Sequence, residues 1–470
     1  MAHSAVPNPP LDSKPVHDER LDDVDSEKLH TDQGQLTTVE ERRVVKKLDA
    51  GVMTLVCILF LCSFLDRSNI GNANAAGMSE HLGLSPDQYD NLLTLFYVGY
   101  VVGQPMTLLW KAVPPHILVA FLTLMWSALA LLQAVATNYG GMIALRMLLG
   151  VAETAFGPGV PFYLSFFYKQ DEIGFRQGIF LSMAPFATAW AGALAYGIAH
   201  IKSSIETYKL LFVIEGAPAL LLVPIVYFML PDRASKTKWL TPREREIAKV
   251  RASSDGENGR EQGLQLKGVV QGLKDYKAWM HALLYFSLNV SYSSLPVFLP
   301  TIISEMGFSS IRAQGLSAPP NLAAFLVVIL MTFVSDRIRD RSILIIPLAL
   351  LGACGYLMLA LSESIAVRYT AVFLCATGVF PCIGLMLPWV ANTHEDDSKR
   401  GASFMILNLL GQCGPFLGTR LFPKTEGPYY VKGMSVCAGF LIFVAIVAFT
   451  LRILLVLENR KRNDGFKYTL

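Results

Sequence analysis

Apolar residues run along most of this chain in long charge-free stretches, interrupted by short clusters of charged and turn residues. Asn91 to Trp110, Gln177 to Ile201, Ala278 to Ser304, Ala313 to Ser335, Ser342 to Ser362 and Tyr369 to His394 are examples. A helix needs ~20 such residues to cross ~30 Å of hydrocarbon. The pattern predicts twelve helical spans, near 50–71, 89–110, 115–137, 140–167, 177–200, 209–230, 278–302, 314–335, 342–361, 367–391, 401–421 and 434–457. The expected fold class is an all-α membrane protein of two six-helix halves, 48–230 and 278–457, joined by a polar connector, 231–277. Residues 1–47, rich in Asp, Glu, Lys, Ser and Pro, read as a disordered tail, and 458–470 as a short C-terminal tail. The start of the chain lacks the basic and apolar pattern of a cleavable signal peptide, so the first span is expected to direct insertion.

Composition sharpens this picture. Of 470 residues, 53% are hydrophobic and 16% charged, with a mean hydropathy of +0.42. That balance argues against a soluble enzyme, a secreted disulfide scaffold or a nucleic-acid binder. The seven cysteines lie in apolar stretches with no metal-ligand spacing, and neither a metal nor another cofactor is expected. The net charge of +3 matters less than its placement. Lys and Arg crowd one set of loops: Arg42 to Lys47, Lys169 and Arg176, the connector, Arg337 to Arg341, Lys399 and Arg400, and Arg460 to Lys467. The excess predicts that both termini are cytoplasmic in a multi-pass protein of the plasma membrane.

An internal repeat supports the division into halves. A shift of 224 residues places Asp171 and Glu172 on Glu395 and Asp396, Arg176 on Arg400, and Phe180 on Phe404. Parallel repeats of this kind belong to transporters that rock one half against the other around a midplane site.

Charge inside a span costs at least ~2.5 kcal/mol, so it is paired or faces a wet cavity. At ~1.5 Å per residue, Asp66, Arg67 and Arg146 share a depth about 21 to 23 Å above the terminal side. Glu153 follows Arg146 by two helical turns on the same face, about 10 Å away. The functional reading is an anion site at Arg146 and Arg67, with Glu153 as a proton-coupling acid and Asp66 orienting an arginine or sharing the proton. The alternative is an Asp66–Arg146 pair that only holds helices together. Glu215 in span six reads as structural pairing before coupling. Asn289, Tyr292, Asn321, Trp389, Asn408 and Gln412 are the second-half candidates for the pocket, each also able to serve as interhelical glue. Glycines and prolines from Gly150 to Pro161 mark span four as breakable, a habit of helices that border substrate sites. In the loop after span eight, Asp336, Arg337 and Arg341 suggest a charge latch that gates the protein. Arg452 is expected to snorkel, and His394 to be a solvated residue at a helix end.

The segments LDRSNIGNANAAGM, RMLLGVAETAFGPGVPFYLSFFY, LFVIEGAPA, LPDRASKTKWLTPREREIA and SKRGASF resemble the major facilitator superfamily. Within it, they are similar to the fungal allantoate and nicotinate permease branch of the anion:cation symporters. The resemblance implies anion contacts at Arg67 and Arg146 and proton coupling at Glu153. The expected function is proton-coupled import of a small organic anion by a monomer whose partners are the anion, protons and the lipid bilayer. A non-transporting nutrient sensor and a drug or organic-anion exporter are the alternatives. Span five lacks the Gly-Pro repeat associated with exporters.

Overall fold

A computed structural model describes residues 38–254, 271–393, 397–462 and 468–469. Every regular element among them is helical. Ten helices are long and apolar enough to cross a membrane. An eleventh span is a pair, Pro86–Val102 and Gln104–Ala112, bent by 42°. The span expected near 401–421 is split into two shorter helices, Asp397–Gly411 and Gly414–Gly418.

The first half contains α1 (Thr38–Leu48), α2 (Thr54–Ala75), α3 (Pro86–Val102), α4 (Pro115–Leu132), α5 (Tyr139–Glu153), α6 (Phe156–Leu164), α7 (Gln170–Ile198) and α8 (Thr207–Met229). The connector carries α9 (Pro242–Ser254). The second half contains α10 (Tyr276–Ser304), α11 (Ser310–Ile338), α12 (Ser342–Leu361), α13 (Ile365–Asn392), α14 (Asp397–Gly411), α15 (Gly414–Gly418) and α16 (Val431–Lys461).

Two spans break beside a proline, which has no N–H for the carbonyl four residues back. Pro158 cannot bond Thr154, and the span divides between α5 and α6. Pro415 cannot bond Gly411, and the span divides between α14 and α15.

The halves meet along α7 and α11, which run antiparallel. Phe175 meets Phe333 edge-on and Phe186 meets Phe325 at a tilt, with ring centroids 6.0 and 5.1 Å apart. On the face away from the chain ends, Thr94 and Thr419 hydroxyls lie 3.1 Å apart, Arg420 donates to Asn91, and Gln314 donates to the Asn72 carbonyl at 3.2 Å.

On the terminal face the structure differs from the disordered tail expected over 1–47. Its last residues form α1, which buries Val44 and Leu48. Arg251 of α9 clasps Glu41 at 3.0 Å and Glu172 at 2.7 Å, and Lys47 pairs with Glu244 at 2.7 Å. Tertiary ion pairs therefore order a segment whose composition alone favours disorder. Residues 1–37 and His394 lie outside the described residues.

Candidate functional site

Between the halves lies a cavity lined from both sides. The first half contributes Arg67 of α2, Tyr97 and Tyr100 of α3, Pro158 and Pro161 of α6, and Phe60, Phe180 and Leu181. Tyr285, Asn289 and Tyr292 of α10 face them, with Asn408 of α14, Gln412 and Phe404. Phe180 and Phe404, matched by the internal repeat, both line this space.

Arg67 is the cation of the cavity. Its Nη2 lies 3.0 Å, and its Nε 3.3 Å, from Glu153 Oε2. The Arg67 side chain keeps 16% of its surface, whereas the Glu153 side chain keeps none. The rings of Tyr100, Phe96 and Phe64 surround the guanidinium, at 5.0, 5.3 and 5.7 Å from centroid to Cζ. Aromatic faces attract a cation while excluding water, which strengthens its attraction for any anion.

Local sequence explains this placement. The helices α3 and α5 cross where neither has a side chain. A Cβ on Gly150 would stand 2.0 Å from the Phe96 carbonyl oxygen, and one on Gly99 would stand 2.1 Å from that of Met147. That contact draws Phe96 and Tyr100 beside Glu153. One residue later the helix breaks, where Thr154 donates its hydroxyl to the Tyr100 carbonyl and Trp110 Nε1 donates to the Ala155 carbonyl at 2.7 Å. Across the cavity, the Gly411 carbonyl left without a bond by Pro415 accepts from Asn289 Nδ2 at 3.2 Å. Each half thus brings a broken helix, and the polar groups freed or added at the break, to the same space.

Of the expected site residues, Arg67, Asn289, Tyr292, Asn408 and Gln412 line the cavity, and Glu153 touches it through Arg67. Arg146 stands behind it, 1% exposed, with Nη1 3.5 Å from the carbonyls of Asp66 and Arg67. Among the described residues no ion pair joins Asp66 to Arg146, and Asp66 Oδ2 has no hydrogen-bond partner. Asn321 is buried outside the lining. Its Nδ2 donates to the Ser317 carbonyl at 2.8 Å, beside the Leu316 carbonyl that Pro320 leaves unbonded and Tyr369 caps at 3.0 Å. Trp389 turns toward the terminal face, where Nε1 donates to the Thr469 carbonyl at 3.2 Å and the ring meets His281 edge-on at 5.0 Å. Its helix position was legible, but its rotation was not.

At the expected latch, Asp336 pairs with Arg341, whose Nη1 donates to Ser335 at 3.1 Å. Arg337 does not join them and instead lies over the Phe333 ring at 5.3 Å. The chain reverses at Arg339, in left-handed conformation with φ 52°, and this returns Arg341 rather than Arg337 to Asp336. Arg452 pairs with Asp340 at 2.6 Å near the same face.

The aromatic residues around Arg67 and the residues Tyr97, Tyr285 and Ser293 are additions to the expected set. The stripe Tyr285, Asn289, Tyr292, spaced for one face of a helix, was the sequence signal that could have found Tyr285.

Comparison with known proteins agrees with this architecture. The family model described as Major Facilitator Superfamily matches residues 56–419. Over 433 residues the chain is 33% identical to MFS transporter prlL of Fungal sp. (strain NRRL 50135), covering 89% of this chain and 88% of that one. It is 29% identical over 423 residues to the high-affinity nicotinic acid transporter of Saccharomyces cerevisiae, covering 90% and 79%. The solved proton:xylose symporter XylE of E. coli shares the fold at a TM-score of 0.66 and 13% identity, over 85% of this chain and 95% of that one.

Proposed function

This chain belongs to the major facilitator superfamily, and we propose that it imports a small organic anion together with protons by alternating access. The cargo is a monocarboxylate such as nicotinate, allantoate or a related compound. The observation that carries the reading is the ion pair of Arg67 with Glu153, at the wall of the central cavity and 3.0 Å long.

A carboxylate substrate and the Glu153 carboxylate compete for one guanidinium. While Glu153 is ionised, Arg67 is occupied. A proton on Glu153 releases Arg67, and the substrate carboxylate takes its place with a bidentate fork available to it. The empty carrier then holds Arg67 against Glu153, and the loaded carrier holds Arg67 against substrate beside a neutral acid. Both states that must reorient keep the charge of this pair balanced, so neither carries an unpaired ion through the membrane. Moving a monoanion alone into an inside-negative cell costs ~2.3 kcal/mol per 100 mV, and the accompanying proton cancels that charge.

Arg146 supports the site from behind through its field, and Asp66 is the acid at the same depth that assists the proton. Asn289, Tyr292, Asn408 and Gln412 supply the hydrogen bonds of the opposite wall. Asp336 and Arg341 act as the gate on the terminal face, which the excess of Lys and Arg supports as cytoplasmic, with the plasma membrane as the place of import. The relative named as a nicotinic acid transporter supports a carboxylate cargo.

The test is Glu153→Gln in sealed vesicles. The variant is expected to lose accumulation driven by an imposed pH gradient while still exchanging labelled for unlabelled substrate. Accumulation at the wild-type level would remove Glu153 from the coupling.

A further inference from the structure

Glu215 lies in α8 with 1% of its surface exposed, and neither carboxyl oxygen has a hydrogen-bond partner. A buried acid in that condition is costly in either form, since its ionised form lacks a counter-charge and its neutral form lacks an acceptor. The pairing that its sequence position suggested is absent among the described residues.

Glu215 shares its depth with a second acid on a neighbouring helix. At ~1.5 Å per residue it stands about 12 Å below the far end of α8, and Asp66 stands about 14 Å below the far end of α2. The two helices pack together. Other ionisable groups on the elements packed against α8 are Cys57, Cys62 and Arg67 of α2, His116 of α4, and Glu172, Arg176 and Tyr196 of α7. Arg67 is held by Glu153, His116 by Asp232, Glu172 by Arg251 and Arg176 by Asp49. Among the described side chains of those elements, Asp66 is the acid left without an ion pair, and Arg146 Nη1 of α5 lies 3.5 Å from its backbone carbonyl.

The helix α2 also carries a polar lane. Asp66, Asn69 and Asn72 follow at three-residue spacing, and each has a buried side-chain oxygen without a partner. The lane leads to the seam between the halves, where Gln314 of α11 donates to the Asn72 carbonyl. When the halves part on that face, this bond breaks, and water gains access to the lane that ends at Asp66 and Glu215.

We propose that Glu215 is a further proton-carrying acid of the transport cycle, loaded along the Asp66–Asn69–Asn72 lane and governed by the charge on Asp66. The proton enters from water when the far seam opens, binds a Glu215 carboxylate oxygen, and returns to water after the halves have rocked. One positive charge beyond those carried by Glu153 and the substrate then crosses in each turnover. This inference rests on the proton-coupled reading above.

The experiment measures charge moved per substrate molecule in vesicles holding the purified full chain, from current and labelled uptake of the same sample. The ratio is independent of how much protein is folded. Glu215→Gln is expected to lower it by one elementary charge and to remove one charge's worth of response to membrane potential, roughly fiftyfold in accumulation at ~100 mV. An unchanged ratio in E215Q overturns the proposal. Should E215Q not transport, Glu215→Asp decides. Its acid is one methylene shorter, and it is expected to keep the wild-type ratio while moving the pH midpoint of uptake; a midpoint identical to wild type counts against a proton role. Failure of the underlying reading looks different, because wild-type uptake would then ignore an imposed pH gradient altogether.

Discussion

A single guanidinium beside a single carboxylate carries most of the chemistry at the residue scale. Arg67 is planar, forked and enclosed by rings, and Lys offers neither the fork nor the same stacking. Arg67→Lys is expected to raise the apparent KM for a monocarboxylate at least about tenfold, the ~1.4 kcal/mol of one charge-assisted bond, with a smaller change in maximal rate. Uptake kinetics over a range of substrate concentrations check this, and curves that superimpose on wild type would take Arg67 out of the binding site. Ionisable residues in an apolar span stand out in a sequence, so Arg67 and Glu153 were legible there. Phe64, Phe96 and Tyr100 were not, because an aromatic residue facing a cavity has the same neighbours in sequence as one buried in a core. Arg146 shows a second limit. Its depth and its face relative to Glu153 followed from helical spacing, but whether a long side chain reaches the cavity or stops at the carbonyls of Asp66 and Arg67 depends on how α2 lies against α5.

At the scale of elements, the two broken helices and the α1–α9 clasp are the features to test. Replacing Pro415 with Ala restores an N–H for the Gly411 carbonyl, which then no longer needs Asn289. Pro415→Ala is expected to straighten α14 into α15 and slow uptake at least tenfold while thermal stability in detergent stays level or rises. Asn289→Leu leaves that carbonyl unpaired and is expected to cost about 1–3 kcal/mol, read as a lower melting temperature. The glycines and prolines from Gly150 to Pro161 marked span four as breakable, whereas the break at Pro415 emerges only in the structure. The structured end of the N-terminal segment was not, since Thr38–Leu48 is highly charged and its helix depends on acids and bases far away in the chain. Arg251 is 5% exposed and joins Glu41 to Glu172. Arg251→Ala is expected to speed amide exchange over residues 38–48 severalfold, whereas no change would mean that burial of Val44 and Leu48 alone holds α1. Acid should loosen the same clasp slightly. Hydrogen bonding from Lys47 holds Glu244 below its ordinary 4.5, so this contribution is complete above that value and fades as pH falls through the lower folded-state value. The half-exposed lysine keeps the effect small.

The whole molecule is two bundles that touch along α7 and α11 and at both ends of the cavity. On the terminal face the approach depends on Gly174, where a Cβ would lie 2.7 Å from Arg341 Nη2 and 2.9 Å from Asp336 Oδ1. The ion pair of the second half thus rests on the backbone of the first. On the far face, Thr94 and Thr419 oppose each other across the same divide at 3.1 Å. The internal repeat made the two halves legible, yet these contacts were not, since a sequence fixes what each bundle contains and leaves open how far apart the bundles stand. If transport proceeds by rocking, the far contact must part once in every cycle. Thr94→Cys with Thr419→Cys places two thiols where a disulfide can form without large backbone movement. With Cys413 replaced by Ser to remove a nearby thiol, oxidation is expected to stop net uptake and exchange together, and reduction to restore both. Either single cysteine should transport through the same treatment. Transport that continues after mass spectrometry has established the cross-link would mean that this seam stays shut during the cycle. The polar lane of α2, which ends at that seam, would then have no route to water, so the double-cysteine chain also bears on how Glu215 receives its proton.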